Sequence, residues 1–243
     1  MKNIFAILLF ALISSHSYSE QLVTLEFEGL DHMMQIEVPN VLAFDAYLRD
    51  CSLSRAGKCS ARFKVKNSEK YFQDGNHRSE FRLMKDYSLL YGPDDIFKYK
   101  FSIFIPLEYE SDPRDSVDII WQFKSFGNNP NSFVGIKGSD IVLRYMDDGQ
   151  ITIYKNFPKG RWIDLSIDAL WSPLERGSFG VLISDFDGKF SNYLNVRNII
   201  NLRNDFPKAN YIKFGIYKPN YENSTAKNPR IVFFDSVRIE KLN

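Results

Sequence analysis

Cysteine and histidine are scarce in this chain: two Cys and three His among 243 residues. No HExxH, CxxC or paired Cys/His spacing occurs. A zinc site would have to be assembled from His32, His77 and carboxylates, because His16 falls within the leader-like residues 1–19 and would be removed with them. Zinc chemistry is therefore not expected. An excess of one charge is also missing, since 31 Lys and Arg stand against 30 Asp and Glu. The resulting net charge of +1 provides no chain-wide basic field, which argues against a dedicated nucleic-acid binder. Apart from Ile4 to Ile13 there is no extended apolar run, and that one is far short of the roughly twenty residues a membrane-spanning helix needs. Internal repeats, Pro/Ser linkers and low-complexity tracts are absent. With 44% hydrophobic and 25% charged residues, disorder, collagen and coiled coil are excluded.

Aromatic residues, by contrast, are plentiful: 21 Phe and 13 Tyr bring their share with Trp to 15%. Rings pack well on a pleated surface, so strands are favoured over helices. From about residue 60 the chain falls into short β-branched and aromatic runs, among them RFKVKN, HRSEFRLM, KYKFSIFI, VDIIWQFK, DIVLRYM, QITIYK, RWIDLSIDAL, FGVLIS, YIKFGIYK and RIVFFDSVRI. Turn signals such as MDDGQ, FPKGRW and DFDGKF separate them, at the spacing of a β-sandwich or barrel. Strands do not alternate with long amphipathic helices, which disfavours a parallel α/β sheet. The expected fold is all-β, one domain of two packed antiparallel sheets over residues 20–243, and a monomer is expected. VLAFDAYLRD, residues 41–50, is the best helix candidate, and the polar stretches 127–132 and 218–230 are expected loops.

Residues 1–19 have the layout of a cleavable secretory signal: Lys2 as sole charge, the apolar run, then Ser17 and Ser19 as small residues two apart. The expected location is secreted or periplasmic. Cleavage would remove Lys2 and leave basic and acidic residues equal in number, so any charged ligand must be attracted by local clustering. In an oxidising compartment Cys51 and Cys59, with seven residues between them in a polar loop, are expected to form a disulfide.

Side chains alternate across a strand, so each run divides into two faces. In YIKFGIY, residues 211–217, Ile212, Phe214 and Ile216 form a core face, leaving Tyr211, Lys213, Gly215 and Tyr217 opposite. In DIIWQFK, Ile119, Trp121 and Phe123 are expected inward, with Gln122 and Lys124 outward. In HRSEFRL, Phe81 and Leu83 point inward and Arg78, Glu80 and Arg82 lie together on the other side. If the three strands are neighbours, their outer faces form a cationic, hydrogen-bonding surface with two tyrosines. A solvated sheet face of the ordinary kind also carries Lys, Arg, Glu and Gln. Two features point beyond it. Gly215 weakens a strand centre unless another backbone or a ligand comes close, and four cations on one face of a neutral protein suit a polyanion.

RSEFR at 78–82, QFK at 122–124 in the position of a QxH motif, and YIKFGIY at 211–217 resemble, in order and strand context, the signature strands of jelly-roll polysaccharide lyases. The group includes alginate lyase, glucuronan lyase and heparin lyase I. The resemblance extends over roughly residues 60–243, with FSIFIPLEY, GRWIDLSID and VFFDSVRI among the shared strands. It implies a β-jelly roll whose concave sheet forms a substrate groove, and β-elimination at a uronic acid of an anionic polysaccharide or oligosaccharide. It further implies that Arg78 and Gln122 engage the uronate carboxylate, and that Tyr217 handles the proton or the leaving oxygen with support from Lys213. Arg82, Lys124, Tyr211 and Glu80 would complete the binding surface. One departure stands out: Lys124 replaces the QxH histidine. Other branches recruit a histidine from elsewhere in the groove, and His77 is the candidate here. Strict alternation turns His77 away from Arg78 unless a bulge or strand start intervenes.

The chemistry suits these residue types. The C5 proton of a uronate is a poor acid until the carboxylate is neutralised and the developing enolate-like charge is stabilised. Arg78 and Gln122 can donate to that carboxylate, and Lys124 or a protonated His77 can add charge. Tyrosine, ordinarily of pKa about 10, can move the proton if nearby cations such as Lys213 and Arg82 lower it. No cofactor is required. Relatives of this architecture use calcium structurally, which makes Asp185 and Asp187 in DFDG, together with Asp235, candidate oxygen ligands, although DFDG lacks the rest of an EF-hand loop. The competing readings are a non-catalytic carbohydrate-binding homologue using the same groove, and a glycoside hydrolase, which would need two carboxylates flanking the bond.

The mature protein is expected to start near Glu20 with Cys51 and Cys59 joined. Intact mass of secreted material before and after reduction checks both, and two free thiols in the denatured, unreduced protein would rule out the bridge.

Overall fold

The computed structural model describes residues 19–29, 45–67, 77–84, 86–111, 117–125, 129–146, 149–203, 210–219, 221, 224 and 228–242. The expected signal segment, apart from Ser19, therefore lies outside the described residues, as does His32. In chain order the strands are β1 (Ser19–Leu25), β2 (Tyr47–Asp50), β3 (Ser60–Val65), β4 (His77–Leu83), β5 (Ile96–Phe104), β6 (Asp118–Ser125) and β7 (Pro130–Lys137). They continue with β8 (Asp140–Tyr145), β9 (Gly149–Tyr154), β10 (Trp162–Leu170), β11 (Gly177–Asp185), β12 (Ser191–Ile199), β13 (Asn210–Lys218) and β14 (Arg230–Leu242). An eight-stranded sheet runs β12-β11-β10-β5-β14-β3-β2, with β1 also paired to β14, and a six-stranded sheet runs β4-β13-β6-β7-β8-β9. The strand pairs are antiparallel. The expected all-β sandwich is the observed jelly-roll fold.

Aromatic rings from both sheets fill the space between them. The Trp121 indole of β6 stacks on Phe101 of β5 across the sandwich, with centroids 4.2 Å apart and planes 4° from parallel, and has Phe214 of β13 at 5.6 Å. Phe63 of β3 meets Phe81 of β4 edge-on at 5.0 Å and Phe214 at 5.8 Å. Each such ring, fully removed from water, contributes about 1.5 to 3 kcal/mol. These contacts hold β4, β13 and β6 by their inner faces and so orient their outer faces.

Two expectations change. Tyr47–Asp50 of the helix candidate is strand β2, and residues 41–44 lie outside the described residues. Tyr47 pairs with Phe63 and its ring lies 4.5 Å from that of Phe81, so cross-strand ring packing outweighs the helical spacing of this short segment. In β6 the register shifts between Ile119 and Trp121 against both neighbours. Ile120 thereby enters the core, and Ile119, expected inward, lies opposite Tyr217 and Gly135.

Four strands were not apparent in the sequence pattern: β1, β2, β7 and β12. β12, SNYLNVRNI, is largely exposed at the sheet edge, which tolerates its polar residues. β7 takes in Pro130 to Ser132 from the expected loop at 127–132. The Cys51–Cys59 disulfide is present, closing the loop between β2 and β3.

Gly215 has φ +141°, and a Cβ there would lie 2.2 Å from the Ser79 carbonyl oxygen and 3.0 Å from the Phe63 ring. The close approach is made by the backbone of β4. Gly215→Ala should therefore cost about 2 to 4 kcal/mol, combining backbone strain with overpacking. Denaturant unfolding measures it, and a loss below 1 kcal/mol would contradict this contact.

Candidate functional site

The three strands anticipated to share a face are neighbours in the order β4-β13-β6. Their register lines up the outward side chains. Arg78 pairs with Tyr217 and Tyr217 with Ile119; Arg82 pairs with Lys213 and Lys213 with Gln122; Tyr211 pairs with Lys124. These residues come together although they are drawn from three distant parts of the chain.

The face is not an ordinary solvated one. Glu80 and Gln122 are each 2% exposed, and Lys213 and Tyr211 each 4%, while Arg78, Arg82, Lys124 and Tyr217 are half-buried around them. Glu80 is the hub: one carboxylate oxygen accepts from the Gln122 amide, and the other lies 3.7 Å from Lys213 Nζ and 3.9 Å from Arg78 Nη1. Both ion-pair distances exceed a hydrogen bond, so Glu80 balances these cations without using up their donors. The Arg78 guanidinium lies over the Tyr217 ring, 4.4 Å from its centre, and Arg82 stands 6.0 Å from the centre of the Tyr211 ring.

This crowding of positive groups alters their acidity. Burial, followed by the nearby Lys213 and Arg78 charges, pushes the Lys124 ammonium down to about 8, with Glu80 opposing. Lys213 is also pushed down, first by burial, with Arg78 and Arg82 adding to the effect and Glu80 opposing it. The groove face thus gathers four cations around one carboxylate, a local positive field in a chain with almost no net charge.

His77 is a correction. The β4-β13 pairing is regular from Ile212 and Leu83 through Lys218 and His77, so no bulge restores His77 to the groove. It shares the inner face of Ser79 and Phe81 and meets the Tyr221 ring edge-on at 5.2 Å. Nearby Asp118 binds both Lys218 Nζ and Arg230 Nε at 2.8 Å, a buried charge cluster at one end of the sandwich.

The calcium candidates do not fit a common ion. Asp235 Oδ2 accepts the backbone N–H groups of Arg55 and Ala56 at 2.6 and 3.1 Å, while Oδ1 accepts that of Ser236. Asp185 accepts the Tyr154 hydroxyl, and Asp187 pairs with Lys189 and Arg161. Donors, not other oxygens, converge on these carboxylates. Among the described residues no cluster of three His, Cys, Asp or Glu side chains suits a metal.

Sequence reasoning missed three residues beside the site. Phe133 of β7 pairs with Gln122 and Arg144 of β8 pairs with Phe133, extending the row across the sheet. A bulky aromatic on the otherwise polar side of SFVGIK was the available signal for Phe133. Arg203, whose charge bears on Lys124, is held by its backbone N–H to the buried Asn131 at 3.0 Å. It comes from the irregular stretch before β13, where no periodicity could have marked it.

A family described as Polysaccharide lyase matches residues 26–238. The fold is similar to that of an endo-β-1,4-glucuronan lyase from the fungus Trichoderma reesei, at 14% identity and TM-score 0.61, covering 92% of this chain and 94% of that one. It is also similar to a marine PL-14 alginate lyase from Aplysia kurodai, at 13% identity and TM-score 0.56, covering 92% and 98%. A third similar structure is the catalytic domain of a glycoside hydrolase family 131 protein from Coprinopsis cinerea, at 13% identity and TM-score 0.52, covering 90% and 83%. At these identities the structural likeness is one of fold. No curated protein sequence matches the chain.

Glu80→Gln preserves shape but leaves Lys213 and Arg78 without their carboxylate. Breaking one side of a buried ionic cluster should cost about 3 kcal/mol, read as a lowered denaturant midpoint. An unchanged midpoint would show that Glu80 does not organise the groove.

Proposed function

Because the chain belongs to the polysaccharide lyase family, we propose that it is an exported enzyme that cleaves an anionic, uronate-containing polysaccharide by β-elimination in the groove of its six-stranded sheet. The observation that carries this reading is the recessed set of Arg78, Arg82, Lys124 and Lys213 around Glu80 and Gln122. A polyanion supplies the negative charge that this surface lacks. Arg78 and Lys124 neutralise the uronate carboxylate, and Gln122, held by Glu80, presents its amide at the groove floor. With the carboxylate neutralised, the C5 proton can leave, the electron pair forms the C4–C5 double bond, and the C4–O bond breaks with the leaving oxygen protonated. Tyr217 is the proton carrier of this scheme. Its ring lies under Arg78, beside the carboxylate-binding group, and no histidine of the described residues faces it. The Cys51–Cys59 bridge and the leader-like residues 1–19 support export.

A hydrolase reading is less well supported, since Glu80 is the one carboxylate on the groove face of β4, β13 and β6 and is engaged by Gln122, Lys213 and Arg78. A binding-only groove is the alternative that His77 favours by facing away. Incubation with a panel of polyuronates separates these readings, because elimination creates an unsaturated sugar absorbing near the ultraviolet edge, and binding or hydrolysis does not. Tyr217→Phe should keep substrate binding while lowering kcat by about a hundredfold to ten-thousandfold. Near-normal kcat would remove Tyr217 from the mechanism, and substrate binding without an unsaturated product would establish the binding-only groove.

Lys124 predicts a pH dependence. Its lowered pKa means that the charge is present below about 8 and lost above it, so polyuronate affinity should fall as pH rises through about 8. The loss should be roughly tenfold, the worth of one charge-assisted contact. Lys124→Arg retains the charge throughout and should flatten the profile, as measured by affinity at constant ionic strength.

A further inference from the structure

The eight-stranded sheet carries, on the face turned away from the core, two neighbouring hollows that the groove chemistry does not use. The larger, about 390 Å³, is walled by Lys100 and Ser102 of β5, Asp164 and Ser166 of β10, Leu182 of β11 and Arg238 of β14. The smaller, about 250 Å³, is walled by Phe104, Trp162 and the exposed ring of Phe186, with Arg161 and Asp187 at its side. The Arg55 guanidinium, on the wall of the larger, lies 4.2 Å from the centre of the Phe186 ring on the wall of the smaller. Arg55 comes from the disulfide-closed loop and is fastened over this sheet by a two-point pair with Asp164, at 3.1 and 2.9 Å.

The electrostatics differ from those of the groove. Arg55 pairs with Asp164, Lys100 with Glu240 at 2.9 Å, Arg238 with Glu26 at 3.1 Å and Arg161 with Asp187 at 3.3 Å. Each cation lining the hollows has a carboxylate partner, Asp187 being shared between Arg161 and Lys189, so the face has strong donors and acceptors and its positive charge is largely offset. Beside them stand serine hydroxyls and apolar side chains, with Phe186 58% and Leu182 44% exposed. The Trp162 indole N–H, almost fully buried beside the smaller hollow, has no hydrogen-bond partner among the described residues.

We propose that this outer face is a second, non-catalytic glycan site that takes a neutral pyranose segment. A neutral sugar presents C–H faces to rings such as Phe186 and a rim of hydroxyls that both donate and accept, which is what paired Arg/Asp groups and serines can satisfy without a net charge. A uronate would gain nothing from cations already neutralised. The site is independent of the groove: Ser166 lies in β10 and Phe186 in the turn after β11, both belonging to the sheet opposite Arg78 and Tyr217.

Calorimetric titration with cellohexaose, a neutral hexamer of β-1,4-linked glucose, tests the proposal on the full chain. Saturable binding is expected, weakened at least tenfold by Ser166→Trp, which fills the larger hollow, and by Phe186→Ala, which removes a half-exposed ring from the smaller. Polyuronate binding should be unchanged in both variants. Should Ser166→Trp fail to fold, Phe186→Ala decides alone. Absence of saturable binding, binding indifferent to Phe186→Ala, or displacement of cellohexaose by a polyuronate would each overturn the second site.

Discussion

The stack of Phe101, Trp121 and Phe214 between the sheets is the contact on which the remaining architecture depends. It joins the middle of the eight-stranded sheet to β6 and β13, two of the three strands that carry the groove residues. A close-packed aromatic layer leaves little freedom to slide one sheet over the other, because a register slip of one residue would turn the rings outward and the polar set inward. The groove is therefore positioned from behind. Its cations need not attract one another, and by themselves they would spread apart.

What makes their crowding tolerable is a single buried carboxylate. Glu80 holds the Gln122 amide and stands near Lys213 and Arg78 at distances that offset their repulsion without neutralising the face. Removing charge from water is costly, and the pKa of Lys124 falls because burial and its cationic neighbours act together. The same arrangement explains how an almost neutral chain can present a positive groove on one sheet and a balanced, ring-lined face on the other. Net charge describes the sum, while recognition depends on the partition.

The placement of His77 narrows the chemistry available to the groove. Regular pairing carries it to the inner face, against Tyr221 and close to the Asp118 cluster, so the three strands offer amide, guanidinium, ammonium and phenol groups. Lys124, on the same outer face as Gln122, is a cation whose charge burial and its cationic neighbours bring within reach of titration. The bulge in β6 has the opposite effect on Ile119, bringing an apolar side chain alongside Tyr217. Alternation and its local failure thus determine which side chains line the groove face.

The sequence by itself determined the all-β class, the Cys51–Cys59 pairing and the division of β4, β13 and most of β6 into core and groove faces. These follow from aromatic composition, short loop closure and a period of two, all local properties. The strand content of residues 47–50, β7 and β12 was hidden because pairing partners supply what weak local preference does not. Alternation had already turned His77 away from Arg78, and the regular register leaves it there; the β6 bulge, the buried role of Glu80 and the approach of Arg203 and Arg144 to the site were decided only in the tertiary structure. Each depends on which strands become neighbours and in what register, and on burial that shifts the balance between charges. One-dimensional alternation carries no information about any of these.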